Sequence, residues 1–465
     1  MTATCRSSRR AAALVWLAAL LSAGLLLGIG HAGGVTPHTS QVPKCATTLG
    51  AKSRVCIGHR SCPKNRVGAR SARGLRCTRV KPRCAKGARR DPTTSRCVVA
   101  TVGSTAGAPI GAAGTTVISE SPATIRTPLV PDYVGPSMPA EGLAPSNPKV
   151  LPLSGGRILW GAWITGRAYA RGGAPFDMQS VSEFERNTKK GVSIIHWGQP
   201  WFIDGAAARF PTVAMNAVRS HGSIPLMDWG SWDVGNRSLS NQPAFSLREI
   251  AAGRHDAYLR EFATAVKAWG HPLMISLDPE MNGRWPLWSE QNNANRPGDF
   301  RAMWRHVHSV FDSVGAANVT WVWQVNTKYS GSTPISVLYP GDDMVDWVGI
   351  SGYGWGTHPA KNYGWHTFET LFAPISIDIA EVAPGKPVMI CETGASEYGG
   401  SKAGWITDAL TVRLPTRFPS IRGFVWFNAF DAPYDWQIES SQSAQDAFAA
   451  GIGLPIYASN TFGSL

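Results

Sequence analysis

Residues 254–280 read RHDAYLREFATAVKAWGHPLMISLDPE. The pattern predicts a helix over Arg254–Trp269 and a short apolar strand over Pro272–Leu277, and the strand runs straight into Asp278-Pro279-Glu280. The same alternation recurs on both sides. Strands are expected at Ile158–Ile164, Val192–Gly198, Ser223–Trp229, Val319–Asn326, Val345–Ser351, Pro387–Glu392 and Gly423–Asn428. Helices are expected at Ser180–Lys190, Thr212–His221, Asp299–Val314, Thr367–Ala380 and Gly404–Leu410. Apolar strands alternating with helices imply parallel βαβ units, and eight of them within residues 156–465 suit a closed (β/α)8 TIM barrel of the α/β class. A doubly wound open sheet would want a glycine-rich phosphate loop after the first strand, and none is there.

Upstream of the barrel the texture changes. The chain has 465 residues, 43% of them hydrophobic, which excludes wholesale disorder, a collagen-like repeat and a small disulfide scaffold. Its net charge of +14 is unevenly placed. Residues 45–97 hold 15 Lys or Arg against the single acid Asp91, whereas residues 98–465 hold 26 basic and 30 acidic groups. Affinity for polyanions therefore belongs to a short module alone. A compact basic body of this kind is expected to adhere to an anionic cell-wall polymer, such as a teichoic or uronic acid. Nucleic acid is not an expected partner, because the module lacks aromatic residues on which bases could stack.

Six of the eight cysteines (Cys45, Cys56, Cys62, Cys77, Cys84 and Cys97) crowd into that module, residues 35–97. With few large apolar residues around them they read as a framework of disulfide bonds in an exported segment, and the fifteen possible pairings stay open. Zinc is a weaker reading: there is no C-x2-C pair and His59 is the single local histidine. Ahead of the module, Arg6, Arg9 and Arg10 precede an apolar run, Ala11–Gly30, and small residues at Ala32-Gly33-Gly34. Residues 1–34 are thus expected to be a signal peptide, and the protein secreted and extracellular, with or without association to the cell surface. If the run is not cleaved it is long enough to serve as a membrane anchor. Residues 98–155, rich in Gly, Pro, Ser and Thr, read as a flexible linker.

In a barrel of parallel strands, chemistry gathers where the strands end. Those ends carry His196-Trp197, Asp228-Trp229, Asp278-Pro279-Glu280, Gln324-Val325-Asn326, Tyr353, Glu392 and Trp426-Phe427-Asn428, an acidic, amide-bearing and aromatic rim. Metal-ligand spacing is absent, as is a G-x-S-x-G elbow, so no metal and no cofactor is expected. Glu280 and Glu392 end the fourth and seventh strands and can face one cavity. Two carboxyl groups flanking one bond are what glycoside hydrolysis needs, one to protonate the departing oxygen and one to attack the sugar or activate water. Either Glu alone could simply pair with an Arg. Eighteen of the 19 tryptophans lie between Trp160 and Trp436, and indole is well suited to the apolar face of a pyranose. Trp160, Trp304 and Trp321 are expected in the core, whereas Trp285, Trp288, Trp355 and Trp426, next to strand ends, are expected to bind substrate. Strand alternation is expected to turn the Cys391 thiol away from Glu392.

The run Met274–Trp288, with Glu-Met-Asn-Gly-Arg-Trp-Pro-Leu-Trp at its end, resembles the acid/base segment of glycoside hydrolase family 26. The likeness continues in Asp346-Trp347-Val348-Gly349-Ile350-Ser351-Gly352-Tyr353, in Glu392-Thr393-Gly394 and in Phe424-Val425-Trp426-Phe427, and covers roughly residues 157–450. It implies a retaining (β/α)8 glycosidase acting on β-mannan or β-glucan, with Glu280 as acid/base and Glu392 as nucleophile. Tyr353 would hold the nucleophile, Trp426 would floor the cleavage subsite, and Trp285 would lie beside it. Asn282, Asp278 and His196 join Trp288 and Trp355 as expected substrate contacts. Two positions depart from the family pattern: Pro279 stands where the family has His, and Ser276 where it has Arg. A proline side chain cannot anchor a sugar hydroxyl, which implies a changed substrate. The leading expectation is a secreted endo-acting hydrolase of a β-1,4-linked polysaccharide. Its alternative is a carbohydrate-binding barrel without catalysis, tethered to the cell wall or surface by the basic module.

Overall fold

The computed structural model describes residues 149–465, except Arg237, Leu239 and Ser240, together with the backbone of five short strands between Val55 and Val99. The chain divides into two compact units, residues 29–128 and the remainder. In the smaller unit, Val55–Cys56, Gly74–Arg79 and Arg66–Ser71 form a three-stranded antiparallel sheet. Ala88–Arg90 pairs antiparallel with Cys97–Val99. The proposed leader, the side chains of the cysteine-rich module and most of the linker lie outside the described residues. No helix among the described residues is long and apolar enough to cross a membrane.

The larger unit is a closed barrel of eight parallel strands: β1 (Leu159–Ile164), β2 (Ile194–Ile203), β3 (Ile224–Asp233), β4 (Leu273–Leu277), β5 (Val319–Asn326), β6 (Trp347–Gly354), β7 (Val388–Ala395) and β8 (Ile421–Asn428). Each pairs with its sequence neighbour, and β8 closes on β1 from Gly423 opposite Leu159 to Asn428 opposite Ile164. The strands are apolar on both faces because both faces are covered. Leu159, Ile194, Leu226, Met274, Val322, Trp347, Met389 and Val425 fill the lower barrel. Trp160, Ile195, Met227, Ile275, Trp323, Ile350, Ile390 and Phe424 face outward to the helices. Val150 seals the floor: its N–H donates to Thr320 Oγ1 at 2.7 Å, and its carbonyl accepts from Trp347 Nε1 at 2.8 Å.

Outside run α1 (Gln179–Thr188), α2 (Thr212–Ser220), α3 (Asp256–Trp269), α4 (Asp299–Val314), α5 (Phe368–Val382), α6 (Lys402–Thr407) and α7 (Gln442–Ile452). On α4 the buried side chains Phe300, Met303, Trp304, Val307, Val310 and Phe311 recur at helical spacing, and the left-handed Gly315 ends the helix. Between β5 and β6 a single 3-10 turn, Ile335–Val337, stands where a helix would complete the pattern. The expected strands are all present. β2 and β3 run on to Ile203 and Asp233, beyond their expected ends, and their tips build part of the wall of the mouth.

Phe311 is 1% exposed and meets Trp229 and Trp321 edge-on. Phe311→Ala is expected to destabilise the barrel by about 3–5 kcal/mol, because the cavity cannot close among stiff rings. Val213→Ala on the open face of α2, at 85% exposure, is expected to stay within about 0.5 kcal/mol. Urea unfolding of the two variants measures the contrast.

Candidate active site

The turn after β4 is strained. Asp278 and Glu280 both have left-handed backbones, φ +49° and +59°, on either side of Pro279. Such a conformation costs a non-glycine residue on the order of 1 kcal/mol or more and persists only when its surroundings enforce it. Here they do. Asp278 N donates to the Trp229 carbonyl and Glu280 N to the Gln324 carbonyl at 2.8 Å. Trp288 Nε1 donates to the Pro279 carbonyl at 2.7 Å. Asp278 itself is fully buried, with Oδ1 accepting from Ser231 N at 2.7 Å and Oδ2 from Ser231 Oγ at 2.8 Å. Burial pushes its carboxyl up to about 7, against the opposing pull of the two Ser231 donors.

Glu280 is thereby pinned at the mouth. Its Oε1 accepts from Asn326 Nδ2 at 2.8 Å and its Oε2 from Trp285 Nε1 at 2.9 Å. Burial raises this carboxyl to about 7, while donors from Asn326, Trp285 and Ser351 pull the other way. Ser351 belongs to a buried polar chain across three strands: Ser276 Oγ donates to Gln324 Oε1 at 2.8 Å, and Gln324 Nε2 to Ser351 Oγ at 2.9 Å.

Glu392 arrives by a different device. Ile350 pairs with Ile390 and Ser351 with Glu392, so Cys391 is an extra residue in a β-bulge on β7. Both Cys391 and Glu392 consequently face the barrel interior, which corrects the expectation from plain alternation. The thiol is buried and burial raises it well above the ordinary range, so it is inert. Glu392 Oε2 accepts from the Tyr353 hydroxyl at 2.5 Å. Burial raises its carboxyl well above the usual range, and the nearby Asp228 and Glu280 push in the same direction. His196, Asp228 and Glu392 bring ligand-type atoms within 4.8 Å of one another.

Around these carboxyls stand aromatic rings. Trp163, Tyr353, Phe427, Tyr434 and Trp436 pack together, with half-buried Trp355 against them. Beside Glu280, half-buried Trp285 lies 5.7 Å, ring to ring, from Tyr329. A polar and aromatic mouth with two deep carboxyls is an arrangement suited to acid–base work on a sugar chain.

Residues 210–395, a span containing both Glu280 and Glu392, match the model of glycosyl hydrolase family 26. The barrel is similar to that family over this span. "Endoglucanase H" of Acetivibrio thermocellus is 30% identical over 296 residues, 63% of this chain and 30% of that protein. A β-1,3-xylanase of a Vibrio species is 29% identical over 108 residues, 23% of this chain and 22% of that one. The chain thus spans less than a third of the length of these curated relatives. Among solved structures, a modular endo-β-1,4-mannanase from Cellulomonas fimi shares the fold at a TM-score of 0.51 and 17% identity, over 66% of this chain and 74% of that one.

On this barrel, four expected substrate contacts are placed elsewhere. Trp426 points outward, against Phe448 of α7 and Trp405 of α6, because Val425 takes the interior position and period two sends Phe427 inward instead. Trp288 is buried as the brace under Pro279. Asn282 spends its amide on the backbone of Asn326, donating to the carbonyl at 2.9 Å and accepting from the N–H at 2.7 Å. Asp278 is occupied by Ser231. The structure brings Glu280, Glu392, Tyr353 and Trp285 together at the mouth, with Trp355 at its edge and His196 beneath. Sequence reasoning put Asp228 and Asn326 on the rim without giving them a role, and passed over Ser351. The signal was present, since each is a polar residue on an interior register of an otherwise apolar strand.

Asp278 gives a pH-dependent stability. Its folded pKa lies above the unfolded value, so between about pH 4 and 7 the unfolded chain ionises first and stability falls as pH rises. Asp278→Asn keeps an acceptor for Ser231 N and loses the titrating proton. The stability difference between wild type and Asp278→Asn is expected to change across pH 4.5–7.5 in favour of the variant; parallel urea midpoints would refute it.

Proposed function

We propose that the barrel is a retaining endo-acting glycoside hydrolase of a β-1,4-linked glucan or mannan, with Glu280 as general acid/base and Glu392 as nucleophile. The observation that carries the reading is the meeting of a buried carboxyl from β4 and a half-buried one from β7 at one mouth, each gripped by its own donors. The Glu280 carboxyl, raised to about 7, is protonated at mildly acid pH and can give its proton to the glycosidic oxygen as the bond to the anomeric carbon breaks. The Glu392 carboxylate attacks that carbon from the opposite side and forms a glycosyl ester. Glu280, now ionised, takes a proton from water as the water attacks, the ester bond breaks and Glu392 is released as carboxylate. Net configuration is kept. Trp285 lies beside the acid and is placed to stack on the leaving part of the chain.

A relative 30% identical over 63% of this chain is named an endoglucanase, which favours glucan over mannan. Export by residues 1–34 and adhesion of residues 45–97 to an anionic wall polymer complete the proposal and rest on the sequence alone.

Glu280→Gln and Glu392→Gln are each expected to lower reducing-end release from β-glucan by about a thousandfold or more while leaving the melting temperature near wild type. Full activity in either variant removes that residue from its role. For wild type, kcat/KM is expected to decline as pH rises through about 7, where Glu280 loses its proton. Proton NMR of the first-formed sugar, showing the β-anomer before mutarotation, checks retention; an α-product would overturn it.

A further inference from the structure

Asn282 lies in the turn after β4, 1% exposed, and the scheme above does not use it. Successive residues of a parallel strand send their backbone groups to opposite neighbours. At the end of β5, Thr327 N turns to β6 and donates to the Ser351 carbonyl, so Gln324 and Asn326 face β4. But β4 stops at Leu277, and its ladder with β5 ends at Ser276 opposite Val322. The turn continues the ladder by other means. Glu280 N donates to the Gln324 carbonyl at 2.8 Å. Two residues on, the Asn282 side chain serves Asn326: Oδ1 accepts from the N–H at 2.7 Å, and Nδ2 donates to the carbonyl at 2.9 Å. A carboxamide carries the donor and acceptor of a peptide group, so Asn282 stands in for the missing strand residue.

What this backbone clamp fixes is a side chain. Asn326 is the last residue of β5 and pairs with Ser351 on the β6 side. Its Oδ1 faces Thr327 Oγ1 at 3.4 Å, and its Nδ2 donates to Glu280 Oε1 at 2.8 Å. Removing the Asn282 amide leaves the β4 side of Asn326 with an unpaired N–H and C=O, and the aim of Nδ2 with one support fewer. The second donor to Glu280, Trp285 Nε1, hangs from the same turn. There Gly283 leaves room for the indole, since a Cβ at that position would lie 2.6 Å from the ring. The Asn282 carbonyl accepts from Thr333 N at 2.9 Å and ties the turn to the loop beyond β5.

We propose that Asn282 is a positioning residue for the acid: through the backbone of Asn326 it holds the amide that orients the Glu280 carboxyl toward the departing oxygen. The inference rests on the acid role given to Glu280. A general acid works over a hydrogen-bond length, and a small misplacement of its carboxyl forfeits much of its effect. Asn282 touches neither substrate nor the acid in this scheme. Its contribution is confined to the step in which a leaving group needs a proton.

The test compares two substrates with the full chain, reading kcat/KM, which covers the first bond-breaking step. Phenyl β-cellobioside releases a phenol that needs the acid's proton. Dinitrophenyl β-cellobioside releases a phenolate stable enough to depart without it. Asn282→Ala is expected to lower kcat/KM by about thirtyfold with the phenyl substrate and by at most about threefold with the dinitrophenyl one. In an Asn326→Ala background, adding Asn282→Ala is expected to cost less than about twofold more, because the route through Asn326 is already cut. Asn282→Ser, whose short hydroxyl cannot serve both backbone groups, enters the same cycle should the Ala variant not fold. Equal losses on the two substrates, as a merely structural role would give, overturn the proposal. So do losses that multiply in the double variant. Glu280→Ala separates the two levels of the argument: equal losses on both substrates there, or a wild type that turns over neither, overturn the acid assignment on which the proposal rests.

Discussion

Desolvation of carboxyl groups at the barrel mouth is the constraint on which the rest of the site depends. Asp228, Asp278 and Glu280 are each at most 5% exposed, and Glu392 stands among them. Charging all four in a low-dielectric setting would cost many kcal/mol, and among the described residues no Lys or Arg pairs with any of the four. Neutral donors take that task instead: Ser231 for Asp278, Asn326 and Trp285 for Glu280, Tyr353 for Glu392. Neutral donors leave the Asp278 and Glu280 carboxyls titratable near neutrality, which a full guanidinium partner would not. That poise is what an acid that must give and retake a proton needs.

The same donors explain the backbone. A strained turn at Asp278-Pro279-Glu280 aims one carboxyl inward to Ser231 and the other into the mouth. Neither orientation follows from a regular strand, and each is fixed by hydrogen bonds to β3 or β5 and by the Trp288 indole under Pro279. Ser276 lies one strand-period below this turn and belongs to the neutral chain Ser276–Gln324–Ser351 that ends on Glu280. Hydroxyls and an amide at these registers, in place of a cation, are part of why the Glu280 carboxyl rises rather than falls.

Much of this was legible in the sequence, because a parallel barrel leaves a strong periodic trace. The eight strands, the full span of α4 and the break in the helix pattern before β6 could all be read from apolar runs and their spacing. So could Glu280 and Glu392, which close runs of that kind. What escaped depended on register. The bulge at Cys391 adds one residue to β7 and leaves the composition of the strand unchanged, so simple alternation placed the thiol wrongly. Trp426 reads as a rim aromatic until Val425 is known to point inward. Asn282 and Asp278 sit in the motif most rich in polar groups, yet both are consumed in holding the turn, since a strained backbone needs partners before a substrate does.

Aromatic placement follows the same logic of support before contact. Tyr434 and Trp436 are fully buried, stacked at 5.1 Å, and shape the wall of the mouth through Tyr353 and Trp355. Their loop is secured by a buried cation: Lys402 of α6 donates to the Asp435 and Gln437 carbonyls and to Ser440 Oγ. Burial lowers that ammonium to about 8, so its place is maintained by donors well matched to backbone oxygens, with Glu397, Asp435 and Glu439 nearby in support. A cation used as a clamp on the outer wall, and neutral donors at the carboxyls inside, divide the polar work of the barrel. Reversing the two would lock the carboxyls of the mouth as permanent anions and leave the aromatic wall without an anchor.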